Sequence, residues 1–274
     1  MENSVSTSTV RNSIQKLGLS GRCLEVHASL RSFGWVDGGA STIVDALLAE
    51  GCTVLVPTFS WGFGVPPPPG WRLPRNAWDY DACPGPTDGI GKSFAPDSNA
   101  IDADMGAIPA AVLAMPARVR GYHPENSFTA VGPLARDLVA GQAPLDVYAP
   151  LKELARRDGA AVLMGVGLDK LTLLHLSERN AGRRLFRRWA SGRDGRPLEM
   201  ETGGCSDGFP NLEPHLAHLE RRDVVGESTW RVFDAGAVLE AATRIIERDP
   251  AITHCSNADC PECNDAVAGG PVVD

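Results

Sequence analysis

Apolar positions follow two regimes along the chain: short unbroken runs, and stretches that recur every three to four residues. The runs at Arg22–Ala28, Cys52–Phe59 and Ala160–Val166 end in glycine or turn residues and predict buried strands. Helical periodicity predicts a polar helix before residue 20, then helices at about Ser41–Leu48, Leu134–Ala140, Lys170–Asn180 and the strongly amphipathic Ala235–Glu247. Strand, helix, strand in succession is a βαβ unit, so the pattern predicts an α/β fold. The expected architecture is a single large domain, 1–274, with a mixed, mostly parallel central sheet flanked by helices.

One stretch has neither period. Residues 62–99 carry the four prolines Pro66–Pro69 with Trp71, Trp78 and Tyr80 interleaved, and predict a long irregular excursion. Such loops inside compact domains are often functional, although this one could equally be a proline-stiffened flap packing its tryptophans on the sheet. There is no internal repeat and no flexible linker.

Composition narrows the function classes. The 274 residues hold 34 acidic and 26 basic side chains, a formal net charge of -8, and 43% hydrophobic residues. A sequence pI near 5.3 argues against a nucleic-acid binder, which needs a basic face, and suits a cationic partner. No apolar run approaches the roughly 20 residues that span a bilayer, so no membrane association is expected. The N-terminal MENSVSTSTVRNS lacks the basic and apolar regions of a secretory signal, which predicts a cytoplasmic chain with reduced thiols.

Four segments could carry chemistry. In His27–Thr42, Gly38 and Gly39 permit close backbone approach, and Ser41 and Thr42 stand where an N-cap belongs; this is a phosphate site or merely a capped turn. In Gly165–Glu178 a strand gives way to a helix, as at the sites of open α/β sheets. There Asp169 lies near the helix start, while His175 and Glu178, three apart, share a helical face. A carboxylate beside an imidazole orients it as a general base, unless this is simply a satisfied buried histidine. Tyr122–Pro133 either lines a groove or forms an ordered turn. In His254–Ala266, Cys260 and Cys263 have the two-residue gap that presents two thiolates to tetrahedral zinc, with His254 and Cys255 close by and Cys205 the best remaining thiol. Reduced thiols on a mobile tail are the alternative.

Together VHASLRSFGWVDGG, TVLVPTFSW, MGAIPAAV, HPENSFTAVGP and VLMGVGLDKLTLLHLSE resemble, in order, the aminoglycoside 3-N-acetyltransferase family. That resemblance implies an α/β architecture of its own, distinct from the GNAT fold of other acetyltransferases, and acetyl transfer from acetyl-CoA to the 3-amino group of a polycationic aminoglycoside, conferring antibiotic resistance. It implies coenzyme A binding by Ala28, Ser29, Leu30, Arg31, Gly38 and Gly39, with Ser127 in the pantetheine wall. His175 corresponds to the essential histidine, with Asp169 and Glu178 as acidic residues around it and Thr172 as a hydroxyl near the thioester. An acidic cleft would concentrate the substrate, and Asp79, Asp102, Glu125, Asp207 and Glu213 are the carboxylates nominated, with Asp81 and Asp104 also available.

Members commonly carry His and Asn where this chain has Leu168 and Leu171. The C-terminal CxxC resembles a subgroup best known for apramycin resistance, which implies a Zn2+ site with Cys205, Cys260 and Cys263. His175, His254 or Cys255 would supply the fourth ligand, and zinc on His175 would leave Glu178 or a metal-bound water as base. Two other readings remain at this level: an acyl-CoA N-acyltransferase for a different amine in natural-product metabolism, and a non-catalytic zinc-stabilised binding protein. The chain is read as a monomer or homodimer.

Overall fold

In the computed structural model, which describes residues 4–273, the three apolar runs become adjacent parallel strands. In order, the chain forms α1 (Thr7–Lys16), β1 (Cys23–Ala28), α2 (Ala40–Ala49), β2 (Thr53–Pro57), β3 (Gly64–Val65), α3 (Ala107–Ala114), β4 (Val119–Arg120) and β5 (Phe128–Val131). It continues through α4 (Ala135–Val139), α5 (Ala149–Arg156), β6 (Ala160–Met164), α6 (Leu173–Asn180), β7 (Phe186–Ser191) and β8 (Pro197–Thr202). Last come α7 (Glu213–Leu216), β9 (Arg221–Val225), β10 (Ser228–Asp234), α8 (Ala235–Arg248) and α9 (Pro261–Val267).

Seven strands form one sheet in the order β4-β5-β2-β1-β6-β10-β9, and β3, β7 and β8 form a small second sheet. Only the β1–β2 and β1–β6 ladders are parallel, but the alternation at the edges leaves five of the seven strands pointing the same way. The α/β expectation holds, with antiparallel edges on a parallel centre. No helix among the described residues is long and apolar enough to cross a membrane.

Period-2 alternation on the central strands builds two cores. Leu24 and Val26 on β1, Val54 and Val56 on β2 and Val162 on β6 pack beneath α1, α2 and α3. Cys23, Leu55, Ala161 and Leu163 face the other way, toward α4, α5, α6 and α8. On α8 the positions Val238, Ala242 and Ile246 recur every four residues and are buried, each large side chain contributing roughly 1.5–3 kcal/mol. Glu25 and His27 share the Cys23 face of β1, so two polar residues project from the sheet centre toward α5 and α6.

The excursion is nearly all irregular; it is tied to the small sheet by β3, by a bridge from Ser93 to Ser191, by Asn76, whose side chain exchanges bonds of 2.9 and 2.7 Å with the Arg187 backbone, and by the Ser191 hydroxyl, which donates to the Gly89 carbonyl at 3.2 Å. It departs and returns at one point. The Asp102 amide donates to the Phe59 carbonyl at 2.8 Å, and the Asp102 Oδ2 accepts from the Trp61 amide at 2.8 Å. Its middle is held by the C-terminal segment: the Ala77 amide donates to Asp265 Oδ2 at 2.7 Å and the Arg75 guanidinium to the Ala268 carbonyl at 2.7 Å.

Candidate active site and a four-cysteine cluster

Parallel strands that end together leave a crevice at their carboxyl ends, and here it holds two cavities. The larger, about 900 Å3, is lined by Ala28, Ser29, Leu30, Arg31, Gly38 and Gly39, all nominated from the sequence, together with Trp35, Asp104 and Val166. The smaller, about 310 Å3, is lined by Asp169, Thr172, His175, Asn126, Tyr148, Gly203 and Phe209. His27, Pro57, Met105 and Lys170 line both, so they mark the junction.

The floor of the larger cavity differs from expectation in one respect. The α2 helix starts at Ala40 with Gly39 as its N-cap and no side-chain cap; the Thr42 hydroxyl instead donates back to the Asp37 carbonyl. Gly38 and Gly39 take φ of 80° and 65°, values that favour glycine, and deliver the chain to the helix start beside the cavity. First-turn amides uncapped by side chains, with the helix dipole behind them, suit an anion.

In the smaller cavity His175 is held on three sides. Its Nδ1 donates to Glu178 Oε2 at 2.9 Å, which fixes the tautomer and leaves Nε2 as the ring nitrogen available to the cavity. Glu178 Oε1 in turn accepts from the Arg183 guanidinium and from the Thr253 hydroxyl, the latter at 2.9 Å. Tyr148 lies parallel to the imidazole at 6.1 Å between centroids, and Phe209 meets it edge-on at 4.8 Å. Burial pushes the Tyr148 phenol far above its ordinary range, so it stands beside the ring as a neutral hydroxyl. A hydrogen-bonded imidazole with one nitrogen free and an ion-paired carboxylate behind it can remove a proton from an amine. Leu168 and Leu171 are fully buried, and Leu171 adds apolar wall to the smaller cavity.

Several nominated residues stand elsewhere. Ser127 lies outside both cavities because its hydroxyl is used internally, accepting from Arg120 Nε at 2.8 Å and donating to the Thr58 carbonyl at 3.2 Å. None of the five nominated substrate carboxylates lines either cavity. Asp79 accepts the Asp81 and Ala82 amides in an exposed turn, Asp102 closes the base of the excursion, and Asp207 is exposed beside Cys205. Glu213 grips Arg231 through two bonds of 2.7 and 2.6 Å. Glu125 is buried, and that burial pushes its carboxyl up to about 7 against the pull of Arg188. Asp169 pairs with Lys170 at 3.1 Å, and Thr172 occupies the N-cap position of α6 without a side-chain cap bond; both remain at the cavity.

The Tyr122–Pro133 segment is both an ordered turn and a wall. His123 Nδ1 accepts the Asn126 amide at 2.8 Å while Nε2 donates to the Glu201 carbonyl at 2.9 Å; burial holds this histidine down to about 4. Asn126 reaches the cavity from that turn. Sequence reading missed His27, Lys170, Tyr148 and Asn126. Of these only His27 carried a signal, as a histidine two residues from Glu25 at a strand end.

The Cys205, Cys255, Cys260 and Cys263 sulfurs lie within 4.8 Å of one another. Tetrahedral zinc with Zn–S of about 2.3 Å needs S···S of about 3.8 Å, so the four sulfurs need only a small contraction. Cys260 is the N-cap of α9, and Cys263 is on its first turn, where its sulfur accepts the Cys255 amide at 3.4 Å. Burial pushes the Cys205 thiol up to about 12 and Cys263 higher still, whereas a hydrogen bond with the Asn257 backbone draws Cys255 down. The fourth member of this group is Cys255; neither His175 nor His254 belongs to it. The His254 nitrogens meet the Cys255 carbonyl at 2.8 Å and Asn264 Oδ1 at 3.1 Å.

Comparison with known proteins agrees with this geometry. Residues 26–247 match the family model described as aminoglycoside 3-N-acetyltransferase. The aminoglycoside N(3)-acetyltransferase IX of Micromonospora chalcea is 30% identical, over 89% of this chain and 94% of its own. The aminoglycoside N(3)-acetyltransferase III of a Salmonella species is 34% identical, over 87% and 90%. The crystal structure of apo aminoglycoside acetyltransferase AAC(3)-IVa shares the fold, with a TM-score of 0.79 at 24% identity over 98% of this chain and 99% of that one. On the family match and the length of these alignments, the chain belongs to the aminoglycoside 3-N-acetyltransferase family.

Proposed function

We propose that this enzyme moves the acetyl group of acetyl-CoA directly onto the 3-amino group of an aminoglycoside within a ternary complex, with His175 as the general base. The observation that carries this is the pair of cavities meeting at one junction, with the His175–Glu178–Arg183 chain on one side and the open start of α2 on the other. The larger cavity accommodates the coenzyme, its phosphates toward Gly38, Gly39 and the α2 amides. His175 Nε2 accepts the proton that the amine loses as its nitrogen attacks the thioester carbonyl. Glu178, itself held by Arg183 and Thr253, supports the imidazolium so formed.

A covalent acyl-cysteine has no place in this scheme. Cys23 and Cys52 are buried in the sheet region, Cys83 is exposed on the excursion, the other four are clustered, and none lines either cavity. The clustered four would hold one Zn2+. With protein sulfur in all four positions, the ion would serve as a structural cross-link and leave no open position for substrate. That leaves His175 free to act as the base.

Thiol release from acetyl-CoA in the presence of gentamicin, apramycin and a 3-amino-blocked control tests the proposal, with His175→Ala alongside. Acceptor-dependent release that disappears in the variant at unchanged metal content is the expected result. Release with no aminoglycoside acceptor, while acetyl-CoA still binds, would sink it. One observation favours a different amine as acceptor: the nominated carboxylates lie outside the cavities, and only Asp104 and Asp169 supply negative charge to the walls.

A further inference from the structure

A second histidine–carboxylate pair sits across the junction from the first. His27 Nε2 donates to Glu25 Oε1 at 3.0 Å; both side chains are buried, Glu25 in mid-strand and His27 near the carboxyl end of β1, where it lines both cavities. Glu25 is fully buried, and its other oxygen has no hydrogen-bond partner among the described residues. Among the described residues His27 is its one basic partner. Burying a carboxylate at the centre of a sheet with a single partner is costly, and nothing in the core packing requires it. Since Nε2 is committed to Glu25, Nδ1 is the atom left to face the junction.

We infer that His27 is the acid of this reaction: its Nδ1–H protonates the departing coenzyme A sulfur while His175 accepts the proton of the attacking amine. This rests on the acetyl-transfer reading above. The amine nitrogen forms a bond to the thioester carbon and yields one proton to His175 Nε2. As the tetrahedral intermediate collapses, the C–S bond breaks, its electron pair stays on sulfur, and sulfur takes the Nδ1 proton of His27. His175 then loses a proton to solvent and His27 regains one, so the cycle is balanced. The placement fits the division of labour: His175 lines only the smaller cavity, whereas His27 lies where that cavity meets the larger one. Lys170 and Met105 share that junction, but Lys170 is tied to Asp169.

The test uses the full-length enzyme with acetyl-CoA and an aminoglycoside that the wild type turns over. His27→Ala should lose about 10²–10⁴-fold in kcat, the usual range for a positioned proton donor, with both KM values within about threefold. Added imidazole should restore at least about tenfold of that loss by supplying the missing donor, a response no purely structural role predicts. His27→Gln, which can keep the bond to Glu25 but has no proton to transfer, should be equally slow and unresponsive to imidazole; it decides the matter if His27→Ala melts early. A kcat within about threefold of wild type in either folded variant, or a loss in His27→Ala that imidazole leaves untouched, would overturn the assignment. Absence of turnover by the wild type itself would instead remove the acetyl-transfer reading.

Discussion

Gly203 stands directly against His175: a Cβ at this position would lie 2.8 Å from the ring's Cγ and Cδ2 and 2.5 Å from the Tyr148 hydroxyl. The backbone there serves as a plate behind the imidazole, and only a residue without a side chain permits it. Gly203→Ala should therefore push the ring off line and lower kcat by about 10- to 100-fold, the penalty of a misplacement of about 1 Å. Acetyl-CoA affinity should hold, since Gly203 does not line the larger cavity. Steady-state kinetics with calorimetry check both halves, and a variant as fast as wild type would refute the packing argument.

The four-sulfur cluster predicts one zinc per chain by elemental analysis. Cys255→Ser should reduce that stoichiometry and lower Tm by about 4 °C or more, the shift that about 2 kcal/mol makes in a chain of this size. His175→Ala should keep its zinc. Metal lost from the histidine variant, or retained in full by the cysteine variant, would return His175 to the ligand set.

Glu125 makes stability depend on pH in a definite direction. Its carboxyl is raised from 4.5 to about 7 in the folded protein, so the stability linked to its proton is present below pH 4.5 and is lost as pH rises through 7. Glu125→Gln removes that loss. Relative to wild type, the variant should gain about 3 kcal/mol between pH 4.5 and pH 8, measured by urea unfolding at the two values. His123 works in the opposite sense: depressed to about 4, it withdraws stability as pH falls from about 6.5. In the wild type the two slopes offset each other, so the variant alone should show a steep decline on the acid side.

Glu213 offers a negative control. Because its carboxylate is occupied by Arg231 and lies away from both cavities, Glu213→Gln should leave the aminoglycoside KM within about twofold of wild type. A rise of about tenfold would restore it to the substrate cleft.

The central strands, α1, α2, α6 and α8 were legible because each buries one continuous or periodic apolar face, which the order of residues alone reveals. The strands β7 and β8 were not: FRRWAS and PLEMET place arginines and glutamates on a small sheet whose ion pairs, such as Arg187 with Glu201 at 2.7 Å, depend on partners distant in sequence. The same distinction governs the site. Local spacing showed His175 with Glu178, and the glycine pair at the start of α2. Cys255 as fourth corner, Arg183 and Thr253 behind Glu178, and Tyr148 beside the ring are long-range encounters with no local signature. The carboxylates erred for a related reason: net charge counts acidic residues without saying which already have a basic partner or a backbone amide.

The base of the excursion at Asp102 and Trp61 has a wider consequence. Since both ends are pinned together and the middle is anchored at Arg75–Ala77, the stretches between these points can be lengthened while the histidines stay put, and doubling such a loop costs only about 0.6 kcal/mol in closure entropy. Length and sequence can therefore drift in this one awning without renegotiating the sheet that carries the two histidines.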